Sequence, residues 1–302
     1  MQDSLWKRLE KCSLCPRNCN VNRLKGQRGI CGTDKELVVY SAFIHRGEEP
    51  PISGENGSGT IFFSGCSLRC IYCQNHKFSH KISGYTITHQ ELAEIMLRLQ
   101  DKKAHNINLV TPTHLLPLIT AALIKAFKKG LVIPIVYNTS GYETTEIIKI
   151  LEHIVDIYLT DAKYIMPNTA YRLSNAMDYP RINHEAIMEM YSQRKNSHLN
   201  GGIMEKGMII RHLVIPNHIE ESKQILLWLK KYTPSSYISI MSQYQPYHKA
   251  YIYPEIKRRL TKNEYYAIKD FIDKIGIEKG WLQEFDTNNE LAGIHITPGL
   301  AS

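Results

Sequence analysis

Three cysteines stand in one short run, Cys66-Ser67-Leu68-Arg69-Cys70-Ile71-Tyr72-Cys73, just after the apolar stretch Thr60-Ile61-Phe62-Phe63 and the small pair Ser64-Gly65. Cysteine thiolates hold iron-sulfur clusters, and three this close converge on one cluster only from an irregular loop, since a helix would splay them around its surface. A cubane has four irons, so three thiolates leave one iron open to a substrate or cofactor. Tyr72 precedes the last cysteine, where its ring would lie near the cluster and shield it. Buried structural thiols or zinc ligands are the competing readings, but zinc sites generally arrive as two pairs with a fourth ligand in reach.

A second set lies upstream: Cys12-Ser13-Leu14-Cys15-Pro16-Arg17-Asn18-Cys19, then Cys31-Gly32. Four thiols within twenty residues suggest a small metal knuckle, with Pro16, Gly26, Gly29 and Gly32 allowing tight turns and the metal supplying much of the order. Zinc and a second 4Fe-4S cluster satisfy that ligand count equally well, and ordinary buried thiols are the plain alternative. A redox-active centre here would be placed to relay electrons to the main cluster. All 7 cysteines precede residue 74. An odd, clustered set fits metal ligation in a reducing, cytoplasmic setting better than a disulfide framework.

The rest of the chain must position these groups. At 302 residues it can bury a sizeable core. The first residues, Met1-Gln2-Asp3-Ser4-Leu5-Trp6-Lys7, lack the apolar core of a secretion signal, and no apolar run approaches the span of a bilayer, so no membrane partner is expected. The formal charge of +8 invites an acidic partner, but the basic residues are scattered and not interleaved with aromatics. Nucleic acid is therefore not the expected partner.

Residues 1–58 read as a Cys-rich extension with a linker, and residues 59–302 as the main domain. Between them Gly47-Glu48-Glu49-Pro50-Pro51-Ile52-Ser53-Gly54 has the Pro and Gly density of an exposed loop. A first strand is predicted over 60–63. Thr88 and Glu91 make a capping box ahead of Leu92, Ile95, Met96 and Leu99 at helical spacing. Strands follow at Ile107–Val110, Val132–Tyr137, Val155–Leu159, Met208–Val214 and Tyr237–Met241. Helices fall over 115–128, 143–151, 183–193, 219–230 and 262–274. Strand-helix alternation implies a parallel sheet with right-handed crossovers. Six units are too few for a closed eight-stranded barrel, so the expected fold is α/β, an open partial (β/α)6 barrel.

Chemistry in such barrels sits at the C-terminal ends of the strands, and polar motifs do follow them. They are Thr111-Pro112-Thr113-His114, Asn138-Thr139-Ser140-Gly141, Asp161-Ala162-Lys163, Arg211 with Ile215-Pro216-Asn217, and Ser242-Gln243-Tyr244-Gln245-Pro246-Tyr247-His248. Each motif alone is common in turns and strand-end ion pairs. Five of them at one end of successive strands, after a cysteine loop on the first, make a specific constellation.

The cysteine spacing after a first strand resembles the radical S-adenosylmethionine superfamily. The wider pattern is similar to the glycyl-radical-enzyme activating enzymes, most closely the branch labelled pyruvate formate-lyase activating enzyme-like. The similarity rests on Cys12-x2-Cys15-Pro16-Arg17, Gly47-Glu48-Glu49-Pro50-Pro51, Cys73-Gln74-Asn75, Thr111-Pro112-Thr113-His114 and Gln243-Tyr244, and it covers most of the chain.

The resemblance implies that Cys66, Cys70 and Cys73 hold a catalytic 4Fe-4S cluster whose open iron is chelated by S-adenosylmethionine. One electron then cleaves the sulfonium to a 5'-deoxyadenosyl radical, which abstracts hydrogen. It places Thr111 and Thr113 where the better-understood members carry Gly-Gly-Glu against the cofactor's amino group. Asn138 and Thr139 match an Asp-Thr pair that helps hold a monovalent cation together with the counterpart of Asp161. Lys163 matches a basic residue beside that aspartate, suited to the methionine end, and Arg211 and His248 match residues facing the cofactor. The implied partners are a glycyl-radical enzyme and an electron donor such as flavodoxin or ferredoxin.

Three functional classes compete: an activase taking hydrogen from a protein glycine, the same machinery acting on a small molecule or RNA, and a non-catalytic Cys-rich metal-binding protein. The cysteine run in a barrel context argues against the third.

Overall fold

The computed structural model describes residues 2–285, so residues 286–302 of the expected main domain lie outside the described part. The chain opens with α1 (Gln2–Lys7) and a coiled cysteine segment, then forms β1 (Leu37–His45), α2 (Pro50–Ser53), β2 (Ser58–Phe63), α3 (His76–Ser79) and β3 (Tyr85–Ile87). Next come α4 (His89–Asp101), β4 (Ile107–Val110), α5 (Leu116–Lys128), β5 (Ile135–Thr139), α6 (Thr145–Leu151), β6 (Ile157–Asp161), α7 (Pro167–Ser174) and α8 (Tyr179–Gln193). The last elements are β7 (His198–Asn200), β8 (Ile203–Leu213), α9 (Ile219–Tyr232), β9 (Tyr237–Met241), α10 (Lys262–Ile275) and β10 (Gly280–Leu282).

One sheet orders these strands β10-β9-β8-β6-β5-β4-β2-β1-β3, with β7 paired to β8 off that path. From β2 to β10 every neighbouring pair on the path is parallel. This is the expected α/β partial barrel, and its six strand-helix units all form. Among the described residues the end strands β3 and β10 do not pair with each other, so the barrel stays open.

Local sequence explains most boundaries. The Thr88 hydroxyl accepts from Glu91 N (3.1 Å), and Glu91 Oε2 accepts from Thr88 N (2.7 Å), closing the capping box that starts α4. β5 begins at Ile135, later than the expected Val132, because Val132 is solvent-exposed and Pro134 has no N–H for a ladder. A seventh parallel strand, β10, follows α10 and extends the sheet beyond the six expected.

Two differences reshape the first part of the chain. β1 pairs antiparallel with β2 and with β3, so the sheet runs across the boundary placed at residue 58. The segment 47–54, expected as an exposed loop, is tucked in: Glu49, Pro51, Ile52 and Ser53 are buried. Ile52 packs with Val136, Ile157, Leu159, Met204 and Ile209 on the concave face, closing the lumen at the N-terminal end of the strands. Burial of that kind stabilises by about 1.5–3 kcal/mol for each large aliphatic side chain. On the convex face, α4 and α5 cover one half of the sheet through Leu92, Ile95, Met96 and Leu99. α6, α8 and α9 cover the other half through Ile147, Ile187 and Leu226.

Candidate active site

β2 delivers the cysteine loop. Ser64 N donates to Val38 O (3.0 Å) and Gly65 N to Phe78 O (2.8 Å), so the loop leaves the sheet anchored on both sides. Gly65 has φ +88°, and a Cβ there would stand 2.7 Å from the Cys31 carbonyl; only glycine suits that close approach. Cys66 and Cys70 are buried, Cys73 is partly exposed, and none is in a disulfide. Burial pushes the Cys66 thiol up and the Cys73 thiol to about 12, so without a metal these sulfurs stay protonated, and a cluster would have to displace their protons to bind them as thiolates. Tyr72 is buried in the same apolar cluster as Cys66 and Cys70, and its hydroxyl accepts from Tyr164 (2.7 Å).

Arg17, from the N-terminal knuckle, holds this loop. Its Nε donates to Ser67 O (2.8 Å) and its Nη2 to Leu68 O (3.2 Å) and Ser174 O (2.8 Å), while Nη1 donates to Asn175 O. In return, Arg69 Nη1 donates to Ile30 O (2.8 Å) and Nη2 to His80 O (2.9 Å). His114 Nε2 donates to Ser64 O (2.7 Å); burial carries this imidazole down to about 4 and keeps it neutral.

Beneath the loop, strand ends converge in the lumen. Asp161 Oδ2 meets Lys163 Nζ at 2.6 Å, and Asp161 Oδ1 meets Arg211 Nε at 2.8 Å. Arg211 Nη2 donates to Asn138 Oδ1 (2.7 Å), and its Nη1 stands 3.7 Å from Glu48 Oε2. Burial raises the Asp161 carboxyl, but Arg211 and Lys163 overcome it and hold the group below its ordinary value. Burial pulls Lys163 down, and the charges of Asp161 and Cys70 more than reverse that, so the ammonium persists. Glu48 is raised by burial, and its Oε2 lacks a hydrogen bond. Glu49 Oε2 accepts from Ser239 Oγ (2.9 Å) and Trp281 Nε1 (2.8 Å), crossing the lumen to β9 and β10.

Of the residues singled out in the sequence, Asn138, Asp161, Lys163 and Arg211 are brought together. Thr113 and Thr139 are not with them. Adjacent strand residues face opposite sides, so with Asn138 in the lumen Thr139 turns to the convex face. There it donates to Glu143 Oε1, which also accepts from Thr113 Oγ1 (2.6 Å). Glu143 is 1% exposed, and burial carries its carboxyl up to about 7. The oxygens expected to hold a monovalent cation with Thr139 are instead occupied by the chain's own cations, Arg211 and Lys163.

Thr111 closes β4 with φ +56°, an unusual backbone for a β-branched residue, and its N–H donates to Asn138 O (2.8 Å). His248 also lies at positive φ (52°) and stacks on His76 with ring centroids 4.9 Å apart; His80 is 4.5 Å away. This contact joins the loops after β2 and β9 over the C-terminal end of the barrel. Glu48, Glu143 and Arg17 are not among the expected site residues; Arg17, beside Cys15-Pro16, and Glu48, in Gly47-Glu48-Glu49-Pro50-Pro51, each had a motif to mark them, and Glu143 had none.

The three thiols, on one loop and partly walled by Tyr72, fit a cluster with an open iron. Among the described residues no three His, Cys, Asp or Glu side chains are placed to hold a single metal ion. No helix among them is long and apolar enough to cross a membrane.

A strand-delivered cysteine loop above a charged lumen in an open parallel barrel is the arrangement of the radical SAM superfamily; the family's sequence model matches residues 60–229, and the chain belongs to it. Its members use a 4Fe-4S cluster and S-adenosylmethionine in radical reactions. The chain is also 33% identical over 280 residues to "Uncharacterized protein MJ0674" of Methanocaldococcus jannaschii, covering 89% of this chain and 76% of that relative.

Proposed function

We propose that this chain binds S-adenosylmethionine beside the Asn138, Asp161, Lys163 and Arg211 group and takes a hydrogen atom from a glycine of a partner enzyme. One observation carries the first part: these four residues converge at strand ends next to the cysteine loop, with Lys163 close enough to act electrostatically on Cys66 and Cys70. The cluster on Cys66, Cys70 and Cys73, when bound, supplies the electron that cleaves the cofactor's sulfonium. The chain's own part is placement. Arg211 and Lys163 are fixed cations suited to the carboxylate of the methionine end, Asp161 holds both in position, and Tyr72 and Tyr164 keep water from the loop.

The glycine substrate is supported by the motif similarity to activating enzymes, with flavodoxin or ferredoxin as the electron donor. A second reading, a small polar substrate in the lumen, is favoured by Asn108. Its buried amide beside Glu48 has neither atom in a hydrogen bond of good geometry.

Anaerobic reconstitution followed by electron paramagnetic resonance of the reduced protein tests the common core. The expected result is a 4Fe-4S signal that changes on adding S-adenosylmethionine, lost in Cys66→Ala, Cys70→Ala or Cys73→Ala. A signal indifferent to the cofactor overturns the reading. Transfer of deuterium from a glycine-labelled partner into 5'-deoxyadenosine separates the activase from the small-molecule enzyme.

A further inference from the structure

Four cysteines have no task in the site above. Cys12, Cys15 and Cys31 are buried, Cys19 is partly exposed, and all four are free thiols in the structure. The segment folds back on itself: Cys12 N donates to Val21 O (2.9 Å) and Asn20 N to Cys12 O (3.1 Å). Cys19 Sγ accepts from Ile30 N (3.4 Å), bringing it to the residue before Cys31. Cys12 and Cys31 lie within electrostatic reach of Cys15.

The surroundings are prepared for negative charge. No Asp or Glu occurs between Glu10 and Asp34, a stretch that carries Lys11, Arg17, Arg23, Lys25 and Arg28. Arg23 is 1% exposed, yet it binds only neutral oxygens: the carbonyls of Asp34 (2.9 Å) and His114 (2.6 Å) and the Thr33 hydroxyl (2.9 Å). A buried guanidinium without an anion carries a large desolvation penalty. Thr33 Oγ1 in turn is 3.1 Å from Cys31 Sγ, so the cation sits one hydroxyl away from the cysteine group.

We propose that Cys12, Cys15, Cys19 and Cys31 bind a second 4Fe-4S cluster, whose negative charge is offset from inside the chain by Arg23. The thiols bind as thiolates, releasing their protons to solvent. The four thiols match the four irons of a cubane one to one, and zinc on the same four is the alternative that the test below must exclude. A cubane spreads its thiolates over separate irons. The site abuts the main one, since the Cys31 carbonyl packs against Gly65, the residue before Cys66.

The test is the metal content of a Cys66→Ala/Cys70→Ala/Cys73→Ala variant after anaerobic reconstitution. It reads the N-terminal set alone, so failure of the proposed function leaves it interpretable. About four iron and four sulfide per chain are expected to remain, with a 4Fe-4S signal. A folded variant holding zinc, or no metal, overturns the proposal. If the triple variant does not fold, Cys12→Ser/Cys15→Ser in the otherwise intact chain should lower iron from roughly eight to roughly four per chain. Unchanged iron would be equally fatal.

Discussion

Arg17 and Arg69 reach past each other in opposite directions: Arg17 of the N-terminal knuckle grips the carbonyls of Ser67 and Leu68, and Arg69 of the cluster loop grips the carbonyl of Ile30. Each segment therefore fixes the other.

Arg17→Lys should show this dependence. Lysine keeps the charge but cannot fork to four carbonyls on two segments. At a net 0.5–1.5 kcal/mol per hydrogen bond, a loss of about 2 kcal/mol is expected in urea unfolding. Iron should also leave the reconstituted protein faster during gel filtration. Wild-type retention of iron would show that the loop stands without the knuckle.

Asp161→Asn leaves Arg211 and Lys163 as buried cations without their shared carboxylate. Breaking a buried pair in this way costs roughly 3–5 kcal/mol. The Asp161 carboxyl lies below its ordinary 3.8, so its stabilisation is complete above that value and fades as pH falls below it. Denaturation curves should show a constant deficit at neutral pH that narrows in acid. Calorimetry should show weaker binding of S-adenosylmethionine, and unchanged affinity would remove Asp161 from the site.

Thr111→Gly separates strain from function. A β-branched residue at φ +56° costs on the order of 1–2 kcal/mol, which glycine does not incur. The melting temperature should rise by a few degrees, while cofactor affinity should fall if the residue's placement serves binding. A drop in both would show that its side chain packs more than the backbone strains.

Glu143→Gln carries the clearest pH signature. The wild-type carboxyl titrates near 7 in the fold against an ordinary 4.5, because burial favours its neutral form. A raised acid is tolerated fully below 4.5 and becomes costly as pH rises to about 7, by up to about 3 kcal/mol. The variant should therefore gain stability relative to wild type across that window and hold the gain above it. A pH-independent difference would place the charge elsewhere.

Much of the fold was legible because it is written locally. Thr88 with Glu91, the apolar strands ending in polar motifs, and the cysteine loop each declare themselves within a dozen residues. What could not be read depends on distant partners. Glu49 looks like a loop residue until Ser239 and Trp281 arrive from the far side of the sheet to satisfy it. Asn138 and Thr139 look like one motif, but strand alternation splits them between lumen and convex face. β1 is an almost unbroken apolar run, Leu37-Val38-Val39-Tyr40, hidden by its position between a cysteine segment and a Pro-Gly turn.

The open sheet is an arc, and two ties span it like chords. At the N-terminal end the segment before β2 reaches β9 and β10 through Glu49; at the C-terminal end His76 and His248 bring the loops of β2 and β9 face to face. The two edges of the arc are therefore joined at both rims, by a buried carboxylate at one end and by stacked rings at the other. The two ties differ in what they touch: the Glu49 tie lies at the end of the strands away from the cysteine loop, whereas the His76 tie rests on the Cys73 carbonyl, so only the first can be edited without disturbing the cluster loop.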